Sequence, residues 1–493
     1  MKKLTAFCLL AMPAVAIATP WLDTSDNYLR QSLQTLAQAG LLSGPINTYP
    51  IMWKNIAIDL NKIDVNHVDP QLRFAVMHLK SALDNNRAEQ SRGLKLGFNS
   101  DQSRVQSFGE QSFDRAALTV FNEAQGSHWA GRIQLTYRNE FDLPTTGTNP
   151  LPLFEQPKMV ADGSYVAGIW GNWVLALDQD SVWWGPGQQS SLLLSNNARP
   201  ISAIRLSRHS WQADTRPWLR WLGPWNITTF AGQDAELNKL FSSDEANNTK
   251  YWGGRATIRP WPSLELGLSR VIQWGGSGRS NSFTTLWDLV SYDKTDEIPA
   301  DQRAAVDFSY HLQAFGWPLT AYGEIADDDN QSGLPDKTMT LLGLRSYWGV
   351  THAVHTVNME YSDTFLDCEN RLQRGNCAYQ GEVFTQGYRR FGRVIGSGYG
   401  ADAKVLSAGY QYQTLGGISW SGHLYRAHFY DGTLTSTLTN QLTSDAVWQL
   451  KMEHRRPIFK GLLSIQLELA EKSKLRPEFD HSYRLAGSWE YRY

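Results

Sequence analysis

Four stretches of this sequence carry residue types that catalysis or metal binding would require. Gly275 to Gly278 and Gly396-Ser397-Gly398 come nearest to the Gly-x-Ser-x-Gly turn of serine hydrolases, but neither has its spacing. His352 and His355 lie three apart near a predicted strand, which places them on opposite faces and prevents them from sharing a metal ion. The run Asp327-Asp328-Asp329 is typical of a solvated loop or a loose cation site. We therefore predict no enzyme activity, no metal site and no cofactor.

A fifth stretch interleaves guanidinium groups with aromatic rings. Guanidinium groups bind carboxylates with two parallel hydrogen bonds, and aromatic rings stack on the C–H faces of sugars. This pattern predicts a surface for an acidic polysaccharide. The same residues would also suit an arginine-lined barrel wall that pairs with inward Asp and Glu, and the sequence leaves both open. The candidate binding residues are Tyr388, Arg389, Arg390, Phe391 and Arg393.

The run WWGPGQQSSLLLSNNARP, from Trp183 to Pro200, has a residue order that no simple period explains. Glycines on both sides of a proline predict a rigid, tight turn with positive φ at the glycines. Adjacent tryptophans in a strand point to opposite faces, so we expect one to face lipid and the other the interior. We hypothesise that the inward one joins a polar cluster that organises the fold, with the floor of a glycan site as the alternative. The structural residues are Trp183, Trp184, Gly185, Pro186, Gly187, Asn196, Asn197 and Arg199.

These residues also carry a resemblance. The segment WWGPGQQSSLLLSNNARPISAIRLSR is similar to the signature of the capsule-assembly Wzi family of Gram-negative outer-membrane proteins, and the run from Gly392 to Ala403 resembles a weaker family segment. The resemblance spans the mature chain. It implies an 18-stranded outer-membrane barrel that binds or anchors capsular or extracellular polysaccharide at the cell surface, as a lectin-like component of capsule assembly.

The N-terminus is typical of a secretory signal. Lys2 and Lys3 precede an apolar stretch, and Ala16 and Ala18 favour cleavage before Thr19, so residues 1–18 are predicted to be a signal peptide. Two cysteines, Cys368 and Cys377, follow in a polar stretch of the exported chain, and we expect them to form a loop disulfide.

Residues 19–90 are predicted to form a small periplasmic helical bundle. Thr24, Ser25 or Asp26 can cap a first helix, a second begins near Pro50, and Asp69 followed by a proline predicts the start of a third. Three short amphipathic helices have only a modest core of their own, so we expect them to plug the periplasmic end of a larger unit. An independent helical domain is the alternative.

Residues 91–493 show the alternation of β-strands and no helical period. In one run Leu264, Leu266 and Leu268 alternate with Glu265 and Gly267. The runs approach the ~10 residues that a tilted membrane strand needs, and many apolar faces end in Trp or Tyr. The terminal run, residues 483–493, alternates to the final aromatic residue, which resembles the insertion signal of outer-membrane barrels. A soluble edge strand is the alternative.

We therefore predict a mainly β fold, a transmembrane antiparallel β-barrel of about 18 strands. With an even number of strands, the start of the first strand and the end of the last strand both lie on the periplasmic side. Counting back from Tyr493, residues 471–481 and 362–404 form outer loops, whereas residues 414–417 and 455–457 form periplasmic turns.

Composition limits the partners. The formal net charge is −2 with both signs interspersed, which argues against nucleic acid. We expect a monomer in the Gram-negative outer membrane whose partners are capsular or exopolysaccharide, membrane lipid and, during biogenesis, the barrel-insertion machinery. The alternative function is a porin-like channel for oligosaccharides, which an N-terminal plug would oppose.

Overall fold

The computed structural model describes residues 21–110, 114–141, 159–233, 249–276, 278–291, 298–328, 338–350, 352–366, 378–381, 383–384, 387–431, 443–476 and 482–493. The predicted signal peptide and both cysteines lie outside these residues. Among the described residues, no helix is both long enough and apolar enough to cross a membrane.

In the described part of the chain, eighteen antiparallel strands close into a barrel, which confirms the predicted fold class. The strands are β1 Gln90–Asn99, β2 Asp114–Gln125, β3 Trp129–Glu140, β4 (in two segments, Met159–Val160 and Tyr165–Trp170), β5 Trp173–Asp178, β6 Ser202–Arg208, β7 Trp225–Gln233, β8 Thr249–Trp261, β9 Leu264–Gly275, β10 Ala300–Ala314, β11 Trp317–Asp328, β12 Thr338–Val350, β13 Ala353–Asp363, β14 Ala403–Thr414, β15 Ser419–Asp431, β16 Thr443–Ile458, β17 Gly461–Ala470 and β18 Tyr483–Arg492. Each strand pairs with its neighbours in chain order, and β18 closes the barrel on β1.

The alternation in the strands separates two environments. Leu268 is 59% exposed on the outer wall, whereas Glu265 on the same strand is 1% exposed in the lumen. This arrangement leaves apolar side chains toward lipid and polar ones toward the interior. Exposed tryptophans mark one rim of the outer wall, next to the short turns: Trp129, Trp170, Trp173, Trp261, Trp317 and Trp420. Exposed tyrosines occur toward the opposite rim: Tyr137, Tyr361 and Tyr483.

The two ends of the barrel differ in their connections. Short turns join most strands at the end where β1 begins and β18 ends, with the longer connection of residues 209–224 as an exception, and the other long connections lie at the opposite end. Short turns on the periplasmic side are typical of outer-membrane barrels. The turn predicted at residues 455–457 is wrong: those residues belong to β16, and the chain reverses at Phe459 and Lys460, both with positive φ.

Among the residues that the structure describes, three helices enter the lumen at the short-turn end: α1 Asn27–Gln38, α2 Trp53–Leu60 and α3 Pro70–Asn86. Asp26 caps α1, where its Oδ1 accepts from the backbone N–H of Tyr28 at 2.9 Å. Asp69 caps α3 in the same way. The second helix begins at Trp53, three residues after the predicted start. The three-part division of the chain stays a prediction, because its first part lies outside the described residues.

Side chains of the barrel wall hold the helices. Arg259 on β8 donates to the carbonyl oxygens of Ala37, Leu42 and Gly44 at 2.7 to 3.1 Å. These carbonyls lie at or after the end of α1, where helix acceptors lack partners within the helix and a cation is favoured. Arg345 on β12 donates to Gln31, Thr35 and Gln38 of the same helix. The helices therefore form a plug that is bonded directly to the wall, as predicted for the periplasmic end.

Candidate functional site

The run from Trp183 to Pro200, here called the 183–200 loop, lies inside the lumen. Its first two residues pair antiparallel with Thr48 and Tyr49 of the segment between α1 and α2. Trp183 and Trp184 are both 0% exposed. The expectation that one of them faces lipid is wrong, because this two-residue strand belongs to an inserted loop and not to the barrel wall.

The two tryptophans belong to different cores. Trp183 packs in the plug core, with its ring centroid 5.3 Å from that of Phe108. Trp184 packs in the luminal core of the barrel, 5.6 Å from Phe230 on β7. The guanidinium of Arg30 on α1 lies 4.2 Å from the Phe108 ring and donates to the carbonyl of Gly187 at 2.8 Å. The loop therefore joins the plug to the barrel.

The glycines of the turn are required for two different reasons. Gly185 has φ 139°, in the region that favours glycine, and a Cβ there would lie 2.7 Å from Oε2 of Glu324. Gly187 has no positive φ, contrary to prediction. A Cβ on Gly187 would instead lie 2.0 Å from the carbonyl oxygen of Ser190. Only Gly185 is therefore needed for its backbone conformation, whereas Gly187 permits a close backbone approach.

Three luminal glutamates accept hydrogen bonds from backbone N–H groups of the inserted segments. Glu324 on β11 accepts from the N–H of Leu192 at 3.1 Å. Glu360 on β13 accepts from two N–H groups of the 183–200 loop at 2.6 and 3.2 Å. Glu265 on β9 accepts from Ile46 and Asn47 at 2.9 and 2.8 Å. Carboxylates that accept backbone N–H bonds satisfy groups that burial would otherwise leave without partners.

The sequence places glutamates on the inward faces of the strands. It does not show that these three accept hydrogen bonds from the inserted segments. Each is 1% exposed and lies within an otherwise ordinary alternating strand, Glu265 at the start of its strand. The one available signal is a glutamate at an inward position, because burying a carboxylate costs free energy unless it has hydrogen-bond or charged partners. Its partners are backbone groups more than 100 residues away in the sequence, so no local pattern marks them.

The polar end of the 183–200 loop binds other inserted segments. Asn196 donates to the carbonyls of Ser107 and Glu110 at 3.1 and 2.7 Å. Arg199 makes a two-point ion pair with Asp162, with N–O distances of 2.7 and 3.1 Å. The polar side chains of Asn196 and Arg199 therefore bond to segments outside the 183–200 loop.

The five candidate binding residues lie on and beside a small hairpin formed by Arg389–Arg390 and Arg393–Val394. Tyr388, Arg390 and Phe391 are buried, and Arg389 and Arg393 are half-buried. Arg390 donates to the carbonyls of Arg199 and Pro200. Arg393 donates to the backbone carbonyl of Asn197 at 2.8 Å and to its side chain at 3.2 Å. The structure thus brings both predicted motifs together, and a binding role for the hairpin stays a prediction.

A polar cavity of about 270 Å³ lies between the start of α1 and the wall formed by β1–β3 and β15–β18. Charged groups of both signs line it, among them Lys95, Arg132, Asp162, Glu453 and Arg492. Its volume is below the ~300 to 1,000 Å³ of typical small-molecule sites. The cavity therefore suits water, ions or a single small solute better than a polysaccharide chain.

Comparisons with known proteins agree with this architecture. The family described as capsule assembly protein Wzi matches residues 85–481. A relative in Klebsiella pneumoniae, described as an uncharacterized 55.8 kDa protein in the cps region, is 31% identical over 336 residues. That match spans 66% of this chain and 62% of the relative.

A solved structure shares the whole fold. It is Wzi of Escherichia coli, described as an outer-membrane protein involved in group 1 capsule assembly and as a carbohydrate-binding β-barrel. It superposes with a TM-score of 0.79 at 24% identity, over 95% of this chain and 99% of that one. The Acinetobacter baumannii barrel OccAB1 is more distant, with a TM-score of 0.45 at 9% identity.

Proposed function

This chain belongs to the Wzi family of capsule assembly proteins, and from that premise we propose that it binds capsular or extracellular polysaccharide and anchors it at the cell surface. The protein is an outer-membrane β-barrel. We propose a non-enzymatic role, in which the barrel holds outer loops that contact the polymer.

The observation that carries the proposal is the filling of the lumen. The plug occupies the periplasmic end, and the 183–200 loop and the 388–394 hairpin pack above it through Glu324, Glu360 and Trp184. A lumen filled in this way does not suit the alternative of a channel for oligosaccharides. It does suit a rigid platform for ligand contacts at the extracellular end.

Within this function, we assign the contacts with acidic sugars to the half-buried residues Arg389 and Arg393. Tyr388, Arg390 and Phe391 would hold the hairpin beneath them, since they pack into the luminal core or bond to the 183–200 loop. Two guanidinium groups on one hairpin can bind successive carboxylates of an acidic polymer.

A surface plasmon resonance experiment tests both parts. The purified protein in detergent is immobilised, and acidic and neutral capsular polysaccharides are passed over it. Replacing Arg389 and Arg393 together with Ala should weaken binding of the acidic polymer about tenfold or more, the equivalent of one lost charge-assisted hydrogen bond. Arg220→Ala, on the periplasmic side, is the matched control and should bind as the wild type does.

Two results would contradict the proposal. If the folded wild-type protein retains no polysaccharide of either class, the function itself is wrong. If binding is intact but insensitive to both arginine substitutions, only the assignment to the hairpin fails.

A further inference from the structure

A short amphipathic helix lies on the outside of the barrel, in the long connection between β9 and β10. This helix, α4 Phe283–Val290, is capped by Ser282, whose side chain accepts from the N–H of Thr285 at 3.1 Å. Gly275 and Gly276 precede it with φ of 71° and 100°, which lets the chain reverse at the top of β9. The helix therefore turns back along the strand that leads to it.

The residues beneath α4 show that it covers the outer wall. Leu286 and Leu289 pack on Ile272 and Trp274 of β9. Those two residues alternate in phase with Leu268, which faces lipid, and out of phase with the luminal Glu265. Both are nearly fully buried, at 0% and 4%, although they lie on the lipid-facing side. Helix α4 covers them, together with the partly buried Trp252, Ile298 and Ala300.

An arginine fixes the lower end of the helix. Arg270 belongs to the same outward-facing row, and its guanidinium donates to the carbonyls of Leu289 and Val290 at 2.8 and 3.0 Å. It also bonds to the side chain of Gln302 on β10. A cation at a helix C-terminus satisfies carbonyls that have no partner in the helix. Without α4, this arginine would point from the wall toward lipid.

The depth of Arg270 places the helix within the bilayer. It lies six residues above Leu264, which pairs with the exposed Tyr310 near the periplasmic rim. Six residues of a tilted strand rise about 15 Å, whereas the apolar band of such barrels is about 25 Å tall. The lower end of α4 is therefore at the level of the outer leaflet, and the helix rises ~12 Å from there toward the extracellular rim.

The exposed surface of α4 has an apolar edge and a polar edge. At about 100° per residue, Phe283 and Trp287 share one edge, whereas Thr284 and Asp288 share the other. Phe283 is 76% exposed and Trp287 is 61% exposed. This apolar edge continues the lipid-facing surface formed by residues such as Leu268.

We propose that α4 is an interfacial helix that binds outer-leaflet lipid, with Phe283 and Trp287 inserted among the acyl chains and Arg270 anchoring the helix to the wall. Its surface is continuous with the membrane-facing band of the barrel, and this continuity favours lipid over polysaccharide as the occupant. The proposal concerns a surface outside the lumen and does not depend on polysaccharide binding.

Spin-label accessibility tests this placement. Single cysteines are introduced as Trp287→Cys, Thr284→Cys and Leu268→Cys in a chain with Cys368 and Cys377 replaced by Ser. Each labelled protein is reconstituted in vesicles of phosphatidylethanolamine and phosphatidylglycerol. The label at 287 should match that at 268, accessible to oxygen and shielded from a water-soluble nickel chelate. The label at 284 should show the opposite preference.

Equal nickel accessibility at 287 and 284 would overturn the proposal. The proposal is also wrong if the 287 label is exposed to water in vesicles and becomes shielded only on addition of capsular polysaccharide, because α4 would then be a sugar site. Heat-modifiable migration on unheated gels verifies folding of each variant. Phe283→Cys serves as a second labelling position if the Trp287 variant does not fold.

Discussion

The ion pair between Arg199 and Asp162 joins the 183–200 loop to the turn between the two segments of β4, and its removal tests whether that loop stabilises the barrel. The Arg199 side chain is 2% exposed, and Asp162 is 19% exposed. The guanidinium also lies 4.9 Å from the ring of Phe391 on the neighbouring hairpin. Arg199→Ala would remove both contacts and leave the Asp162 carboxylate with a hydrogen bond from Gln179 at 2.7 Å.

The expected loss follows from these contacts. Breaking a fully buried ion pair from one side costs about 3 to 5 kcal/mol, and a cation–π contact adds about 0.5 to 1 kcal/mol. Asp162 retains partial solvent contact and one donor, which reduces the first figure. We expect Arg199→Ala to lower the free energy of unfolding by about 2 to 3 kcal/mol.

The assay is guanidinium-induced unfolding in detergent, followed by loss of the heat-modifiable band on unheated gels. Asp162→Asn should destabilise by a similar amount, and the double variant should lose less than the sum, since both single changes break one contact. Arg199→Lys, which keeps the charge without the two-point geometry, should fall between wild type and Arg199→Ala. The reasoning is refuted if the Arg199→Ala variant is as stable as the wild type but no longer retains polysaccharide. This cluster would then be a binding site.

Three further predictions concern the plug and the outer loops. Planar-bilayer recordings of the full-length mature protein should show little conductance, since the helices and the 183–200 loop fill the lumen, and large stable steps would contradict this. Cys368 and Cys377 should resist thiol labelling until reduced, because a disulfide leaves no free thiol, whereas stoichiometric labelling of unreduced protein would exclude the disulfide. The cross-link should also stabilise its ten-residue loop by about 2 to 3 kcal/mol. Burial raises the pKa of Asp26, but the guanidinium of Arg455 outweighs burial and holds that pKa well below its usual range. A depressed carboxyl pKa adds stability that is present above about pH 4 and is lost as the pH falls toward the folded value, so Asp26→Asn should flatten the acid side of the stability profile.

The sequence alone determined the class of the fold and the positions of most elements. Alternation such as that from Leu264 to Leu268 identifies both the strand and its lipid-facing side, because side chains of a strand point alternately to opposite faces. Caps at Asp26 and Asp69 mark helix starts because the signal is local, within three residues of the cap. The resemblance to the Wzi family rests on a contiguous segment and is likewise visible without a structure.

Only the tertiary structure decided where the 183–200 loop goes. Trp183 and Trp184 are both buried because the loop enters the lumen and lies between two cores, which no alternation rule can indicate. The partners of Glu324 and Glu360 are backbone N–H groups, which every residue carries, so no side-chain pattern identifies them. The outward turn of α4 depends on Arg270, a residue whose local sequence is that of an ordinary strand. These contacts join residues distant in sequence, and the closed barrel supplies the geometry that brings them together.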